Sequence, residues 1–218
     1  MDFFAIISVI LHIFITSKSY NLICNTTRKE QYFFIFYTVI VEFVVEFFFY
    51  SIYLSGLGIE KFLYPFILYA YFIWFKKFDK YRGVFLSFLL SLLYHSTHTF
   101  IAVTLSSITG DELALHYESI FFLVVLLLTY FVILKTIRYF HLEIKYFDKD
   151  YLYPFLKKVI VAFFGLHILL FISDIVSTTH HLNSFGSILS TIVFICLLLI
   201  FFAMNSYKVQ IEKEIALK

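Results

Sequence analysis

From Phe185 to Met204 the chain runs for 20 residues without one charged side chain. At 1.5 Å per residue a helix of that length measures about 30 Å, the hydrocarbon thickness of a bilayer. Six further apolar runs precede it: Phe3–Thr16, Tyr32–Leu54, Phe62–Phe75, Val84–Leu105, Ile120–Leu134 and Val159–Ser173. The runs are continuous, whereas a membrane barrel needs strands of about ten residues that alternate apolar and polar side chains, so helices are expected. The second, fourth and seventh runs span unaided. The first, third and sixth borrow flanking Tyr, Ser and Thr residues, and the fifth can extend to Phe140. Composition points the same way, with 61% hydrophobic and 15% charged residues in a chain of 218. A soluble domain of this size cannot bury that much apolar surface. The expected fold class is an all-α, polytopic membrane bundle of about seven transmembrane helices.

Punctuation fits this parse. Gly56, Gly58, Gly83 and Gly110 fall in the expected loops, and Pro65 and Pro154 lie near helix starts, where a missing N–H costs little. The start, Met1-Asp2-Phe3-Phe4, lacks the basic segment of a cleaved leader, so the first run is taken as a retained helix. Cys24 and Cys196 offer neither a disulfide framework nor metal-ligand spacing and read as inert thiols.

Charge sets the expected orientation. Lys18, Arg28 and Lys29 separate the first two runs, and Lys76, Lys77, Lys80 and Arg82 separate the third and fourth. Lys135, Arg138, Lys145, Lys149, Lys157 and Lys158 surround the link between the fifth and sixth, and Lys208, Lys213 and Lys218 follow the seventh. Thus 16 of the 17 basic residues occupy alternate connections, and only Lys61 lies on the other side. The positive-inside rule makes those connections cytoplasmic, giving an N-out, C-in chain. The outer segments carry Asp2, Glu60, Asp111, Glu112, Glu118 and Asp174. Such a face attracts cationic ligands over about a Debye length, ~8–10 Å. The same imbalance also arises by default when topology removes basic residues from one side. The longest outer connection, Ser106–Ser119, has 14 residues, so an external ligand would bind at helix ends or between helices. An amphipathic peptide suits aromatic walls with acidic rims.

Ionisable groups also lie inside the runs, where they are costly and point to function. Glu42 and Glu46 share one face of the second run, and His95 and His98 stand three apart in the fourth. Glu42 is 11 residues from Gln31 and His95 is 13 from Arg82, which puts them at comparable depths. Glu42–His95 and Glu46–His98 are the expected partners. Three roles fit: an interhelical clamp, an ion or proton path, or contact with a ligand cation. His95-Ser-Thr-His98 lacks the His-Glu-x-x-His spacing of a zinc hydrolase, and adjacent His180 and His181 read as loop residues. No metal, cofactor or catalytic residue is expected.

After Met204 the residues Asn205 to Lys218 favour helix and carry no stop signal. Met204, Ile211 and Ile215 fit a heptad seam that Lys208 and Lys218 interrupt, and the uncapped end reads as a truncation. Several long strings here carry a family resemblance: Gly56-Leu-Gly-Ile-Glu60, Ser107-Ile-Thr-Gly-Asp111, Tyr146-Phe-Asp-Lys-Asp-Tyr-Leu-Tyr-Pro-Phe-Leu-Lys-Lys158, His181-Leu-Asn-Ser-Phe-Gly-Ser-Ile-Leu189 and Phe201-Phe-Ala-Met-Asn-Ser-Tyr-Lys-Val-Gln-Ile-Glu-Lys-Glu214. Along essentially its whole length the chain resembles the membrane sensor portion of the ComD-type receptor histidine kinases of streptococci, which respond to competence-stimulating peptide. The resemblance implies a cationic amphipathic pheromone peptide as ligand, a homodimer, and a response regulator reached through a cytoplasmic kinase half. That half is expected to be missing, since no histidine follows His181 and no Gly-rich nucleotide motif occurs.

The resulting expectation is a peptide sensor over 1–204 and the start of a signalling helix over 205–218, with no enzymatic activity as it stands. Glu60, Asp111, Glu112, Glu118 and Asp174 are the candidate rim, and Glu42, Glu46, His95 and His98 the deeper layer. Ile211 and Ile215 are the candidate transmitter. The bilayer is a partner and nucleic acid is not. A small ion or solute transporter using the Glu/His layer, a membrane hydrolase, and a non-signalling dimer partner of a full receptor remain as alternatives.

Overall fold

Local capping explains where the helices begin and end. Thr27 N donates to Glu30 Oε2 at 2.9 Å and Glu30 N donates to Thr27 Oγ1 at 3.4 Å, a capping box that satisfies two amides a helix start leaves open. Asp79 Oδ1 accepts from Tyr81 N at 3.0 Å and Arg82 N at 3.1 Å, which starts another helix. His141, at φ 49°, occupies the left-handed position of a Schellman turn: Leu142 N donates to Ile137 O at 3.1 Å and His141 N to Arg138 O at 3.4 Å.

The computed structural model describes residues 3–51, 59–109, 120–142, 153–179 and 183–217. Within them lie seven α-helices: α1 (Phe3–Cys24), α2 (Arg28–Ser51), α3 (Ile59–Trp74), α4 (Lys80–Thr109), α5 (Ile120–Tyr139), α6 (Tyr153–Thr179) and α7 (Asn183–Ala216). Each apolar run of the sequence falls on one helix, except that the end of the second, 52–54, lies outside the described residues. Among the described residues four stretches are long and apolar enough to cross a bilayer: Lys80–Ile108, Phe121–Tyr139, Pro154–Ser173 and Ile188–Ala216. Val9–Cys24 and Phe62–Trp74 are shorter apolar helices.

The core is built around α4. Of its apolar stretch 78% is buried, against 33–39% for those of α5, α6 and α7. It packs against α1, α3, α5, α6 and α7, while α2 lies on the flank against α1 and α3. Small polar residues let the neighbours approach α4 closely: Ser87, Ser91, Ser96 and Thr97 are fully buried beside Leu86, Leu89 and Leu92. Outward faces stay apolar, as with Leu199 and Phe202 on α7, each 62% exposed, and Phe131 on α5. Surfaces of that kind need lipid rather than water around them.

Two sequence expectations change. Gly83 lies in the first turn of α4, not in a loop. A Cβ there would stand 2.9 Å from Ile73 Cδ1 and 3.3 Å from Tyr69 Cε2, so this glycine lets α3 and α4 meet closely after their short connection. Pro65 lies inside α3, which begins at Ile59, and it leaves the Lys61 carbonyl without its helical donor. Pro154, second residue of α6, sits where proline is tolerated.

Candidate functional site

Contacts between helix ends sort the bundle into two poles. At one pole Lys76 Nζ and Glu30 Oε1 form an ion pair that ties the end of α3 to the start of α2. Tyr20, near the end of α1, packs on Phe34 of α2 at 4.5 Å and Phe72 of α3 at 5.6 Å. Lys157 Nζ of α6 lies 5.0 Å from the Tyr81 ring of α4, and Phe155 stacks on Tyr207 of α7 at 4.2 Å. This pole therefore gathers Arg28, Lys29, Lys76, Lys77, Lys80, Arg82, Lys157 and Lys158. The Glu30 carboxyl is held below its ordinary range by the Lys76 ammonium and then by the Thr27 amide.

At the other pole Phe62 of α3 packs on Phe171 of α6 at 4.8 Å, and Ser173 bonds Ser190 of α7 at 2.9 Å. Phe100 of α4 stacks on Phe194 at 4.4 Å. Glu60 in the first turn of α3 and Asp174 near the end of α6 thus occupy neighbouring helix ends, although their side chains are not described. Asp111, Glu112 and Glu118 lie outside the described residues. They follow the end of α4 that lies beyond Phe100 and precede the start of α5.

Between the poles lies a layer of imidazoles and phenols. His12 of α1 stacks on Tyr94 of α4 at 4.0 Å and lies 6.0 Å from His95. Tyr64 of α3 stands 5.2 Å from His12 and 5.5 Å from His95, and its hydroxyl donates to Thr16 Oγ1 at 3.4 Å. His98 stacks on Tyr94 at 5.7 Å. The layer joins α1, α3, α4 and α5 through ring contacts. His12 and His95 lie near each other, with His98 on the far side of the Tyr94 contact, so the layer offers imidazoles and phenols that can hydrogen-bond a polar guest. Among the described residues no group of His, Cys, Asp and Glu has the arrangement of a metal site.

The expected partners of His95 and His98 were Glu42 and Glu46. Both glutamates lie on α2, whose principal neighbours are α1 and α3, and their side chains are not described. The described surroundings of His95 include His12, Tyr64 and Tyr94, and those of His98 include Tyr94 and Phe122. Sequence reasoning missed His12, and also His167 of α6, whose Nε2 lies 3.1 Å from the Phe62 carbonyl oxygen. A lone histidine within an apolar run was the available signal for each. Of the candidate transmitter residues, Ile211 packs against the bundle core and Ile215 is 52% exposed.

No family model matches the chain, and neither a curated protein nor a solved structure matches it.

Proposed function

We propose that the chain is the membrane sensor of a peptide receptor, crossing a bacterial plasma membrane seven times with its N-terminus outside and its C-terminus in the cytoplasm. The observation that carries the reading is α7. It runs unbroken for 34 residues, about 51 Å at 1.5 Å per residue, from the acidic pole into a charged tail beyond the bilayer's ~30 Å. Such a helix can carry a displacement from one side of the membrane to the other. The pole opposite the basic one holds Glu60 and Asp174 on adjoining helix ends, with Asp111, Glu112 and Glu118 between the end of α4 and the start of α5. A cationic amphipathic pheromone peptide complements that charge, and the resemblance to streptococcal receptor kinases supports the same ligand class, a homodimer and a cytoplasmic kinase partner. The peptide shifts the bundle only by its unequal affinity for two arrangements, and α7 with Ile211 and Ile215 transmits the difference.

Titrating a labelled cationic pheromone peptide onto the purified chain in nanodiscs tests this. Saturable binding that weakens as salt rises, and weakens in Glu60→Gln/Asp174→Asn, is expected. Binding that ignores both changes ends the reading. The layer of His12, His95 and His98 favours a second reading, a small ion or solute transporter. That reading requires flux through the reconstituted chain without any peptide.

A further inference from the structure

A groove on the flank of the basic pole has the chemistry of a lipid site. It lies between α2 and the last turn of α3 and has a volume of about 640 Å³. That is within the usual span for small-molecule sites, about 300–1,000 Å³. Tyr71 forms its floor, Tyr32, Phe33, Phe36 and Phe75 its walls, and Lys29, Glu30 and Lys76 its rim, with one cation in excess. Phe33 and Phe75 meet edge to face at 5.2 Å, which keeps the slot apolar along its length. Phe36 is 62% exposed, and Tyr32, which also lines the groove, is more so, so rings open outward where the apolar stretches of α2 and α3 give way to lysines. Aromatic side chains at that level belong to the boundary between acyl chains and headgroups.

Charge at the rim selects the headgroup. Glu30 neutralises only one of the two ammonium groups, and among the described residues Lys29 has no acidic partner. The groove therefore combines an apolar slot with a net positive mouth. A soluble anion would leave the rings uncovered, and a zwitterionic lipid would bring its own cation to the lysines. We propose that this groove binds an anionic phospholipid, with an acyl chain along Phe33, Phe36 and Phe75 and the phosphate between Lys29 and Lys76. The site is independent of the peptide-receptor reading, because it lies at the opposite pole and uses none of the residues assigned to the peptide.

Native mass spectrometry of the purified full chain, titrated with phosphatidylglycerol or phosphatidylcholine of matched chains, tests the proposal. Phosphatidylglycerol is expected to be retained in preference. Lys29→Gln should weaken it about fivefold, the ratio that one basic side chain near an anionic surface carries. Phe36→Ala should weaken both lipids, whereas Lys158→Gln, at the same pole but away from the groove, should change neither. Far-UV circular dichroism confirms that these exposed-site variants stay folded. Equal retention of the two lipids overturns the proposal, as does an unchanged titration for Lys29→Gln. Displacement of phosphatidylglycerol by soluble glycerol phosphate overturns it too, by marking a small-anion site.

Discussion

Replacing Glu30 with glutamine removes a charge but keeps a helix cap, and replacing it with alanine removes both. The wild-type carboxylate has two duties: Oε2 closes the capping box with Thr27, and Oε1 holds Lys76 at the end of α3. Glutamine serves in a capping box as glutamate does, so Glu30→Gln isolates the ion pair. The pair is part-buried, but the Glu30 side chain is 38% exposed, so water screens its carboxylate and the contribution stays within the surface range, about 0.5 kcal/mol. Losing the cap as well adds about 1 kcal/mol, so Glu30→Ala should cost about 1.5 kcal/mol. Thermal unfolding of the purified chain in non-ionic detergent, followed by far-UV circular dichroism, resolves the ranking wild type, Gln, Ala.

Acid supplies the decisive comparison. The folded-state pKa of Glu30 is depressed, first by the Lys76 ammonium and next by the Thr27 amide, from an ordinary value of 4.5. A depressed carboxylate contributes its full stabilisation above the unfolded value and loses it as pH falls through the folded one. The difference between wild type and Glu30→Gln should therefore hold at neutral pH and shrink below about 4.5. High salt should shrink it as well. Equal stability of the Gln and Ala variants would refute the separation of cap from charge. A wild-type-to-Gln difference that persisted undiminished in acid would refute the ion pair.

Two further substitutions probe the packing. Phe163 of α6 is fully buried, with Phe85 of α4 at 5.8 Å and Phe201 of α7 at 6.3 Å. In a bilayer the transfer term largely cancels, because lipid is as apolar as the core. Phe163→Ala should then cost the cavity term alone, about 2 kcal/mol for roughly 100 Å³ vacated. A loss below about 0.5 kcal/mol in the same thermal assay would contradict a tight junction of α4, α6 and α7. Gly83→Val should destabilise by about 1–3 kcal/mol and Gly83→Ala by less. The first atom in the way, Ile73 Cδ1, ends a flexible side chain, and the Tyr69 ring behind it stops a larger group. Equal stability for valine and glycine would show that α3 and α4 stand further apart.

The helices were legible because a span is a local pattern: some twenty apolar residues in succession announce themselves without tertiary information. Their ends were less so. α1 passes Thr16 and continues to Cys24, through Ser17 and Ser19, which are buried. Ser19 Oγ donates to Ile15 O at 2.8 Å, so a hydroxyl that reads as a break in hydropathy is satisfied by its own helix. Gly83 was misread for a related reason, since a glycine beside charged residues looks the same whether it turns the chain or admits a neighbour. Depth could be counted along each run, but azimuth could not. Which helix faces His95 depends on the packing order around α4, and no local run encodes that order. His12 meets His95 only because α1 packs on α4.

Packing order also bears on how a signal would travel, given the receptor reading. α6 grips α7 at both poles, through Ser173 and Ser190 at 2.9 Å and through Phe155 and Tyr207 at 4.2 Å. Two contacts so far apart along the helices oppose bending of α7 against α6, so on that reading the two would move as one lever. Phe100 of α4 touches that lever near the acidic pole, stacked on Phe194 at 4.4 Å. A ligand wedged between helix ends there would tilt the α6–α7 pair against α4. The tilt would emerge at the basic pole around Tyr207 and Ile211. Transmission of this kind needs the α6–α7 pair to have two packings against α4, and the Phe85–Phe163–Phe201 junction is where the two would differ.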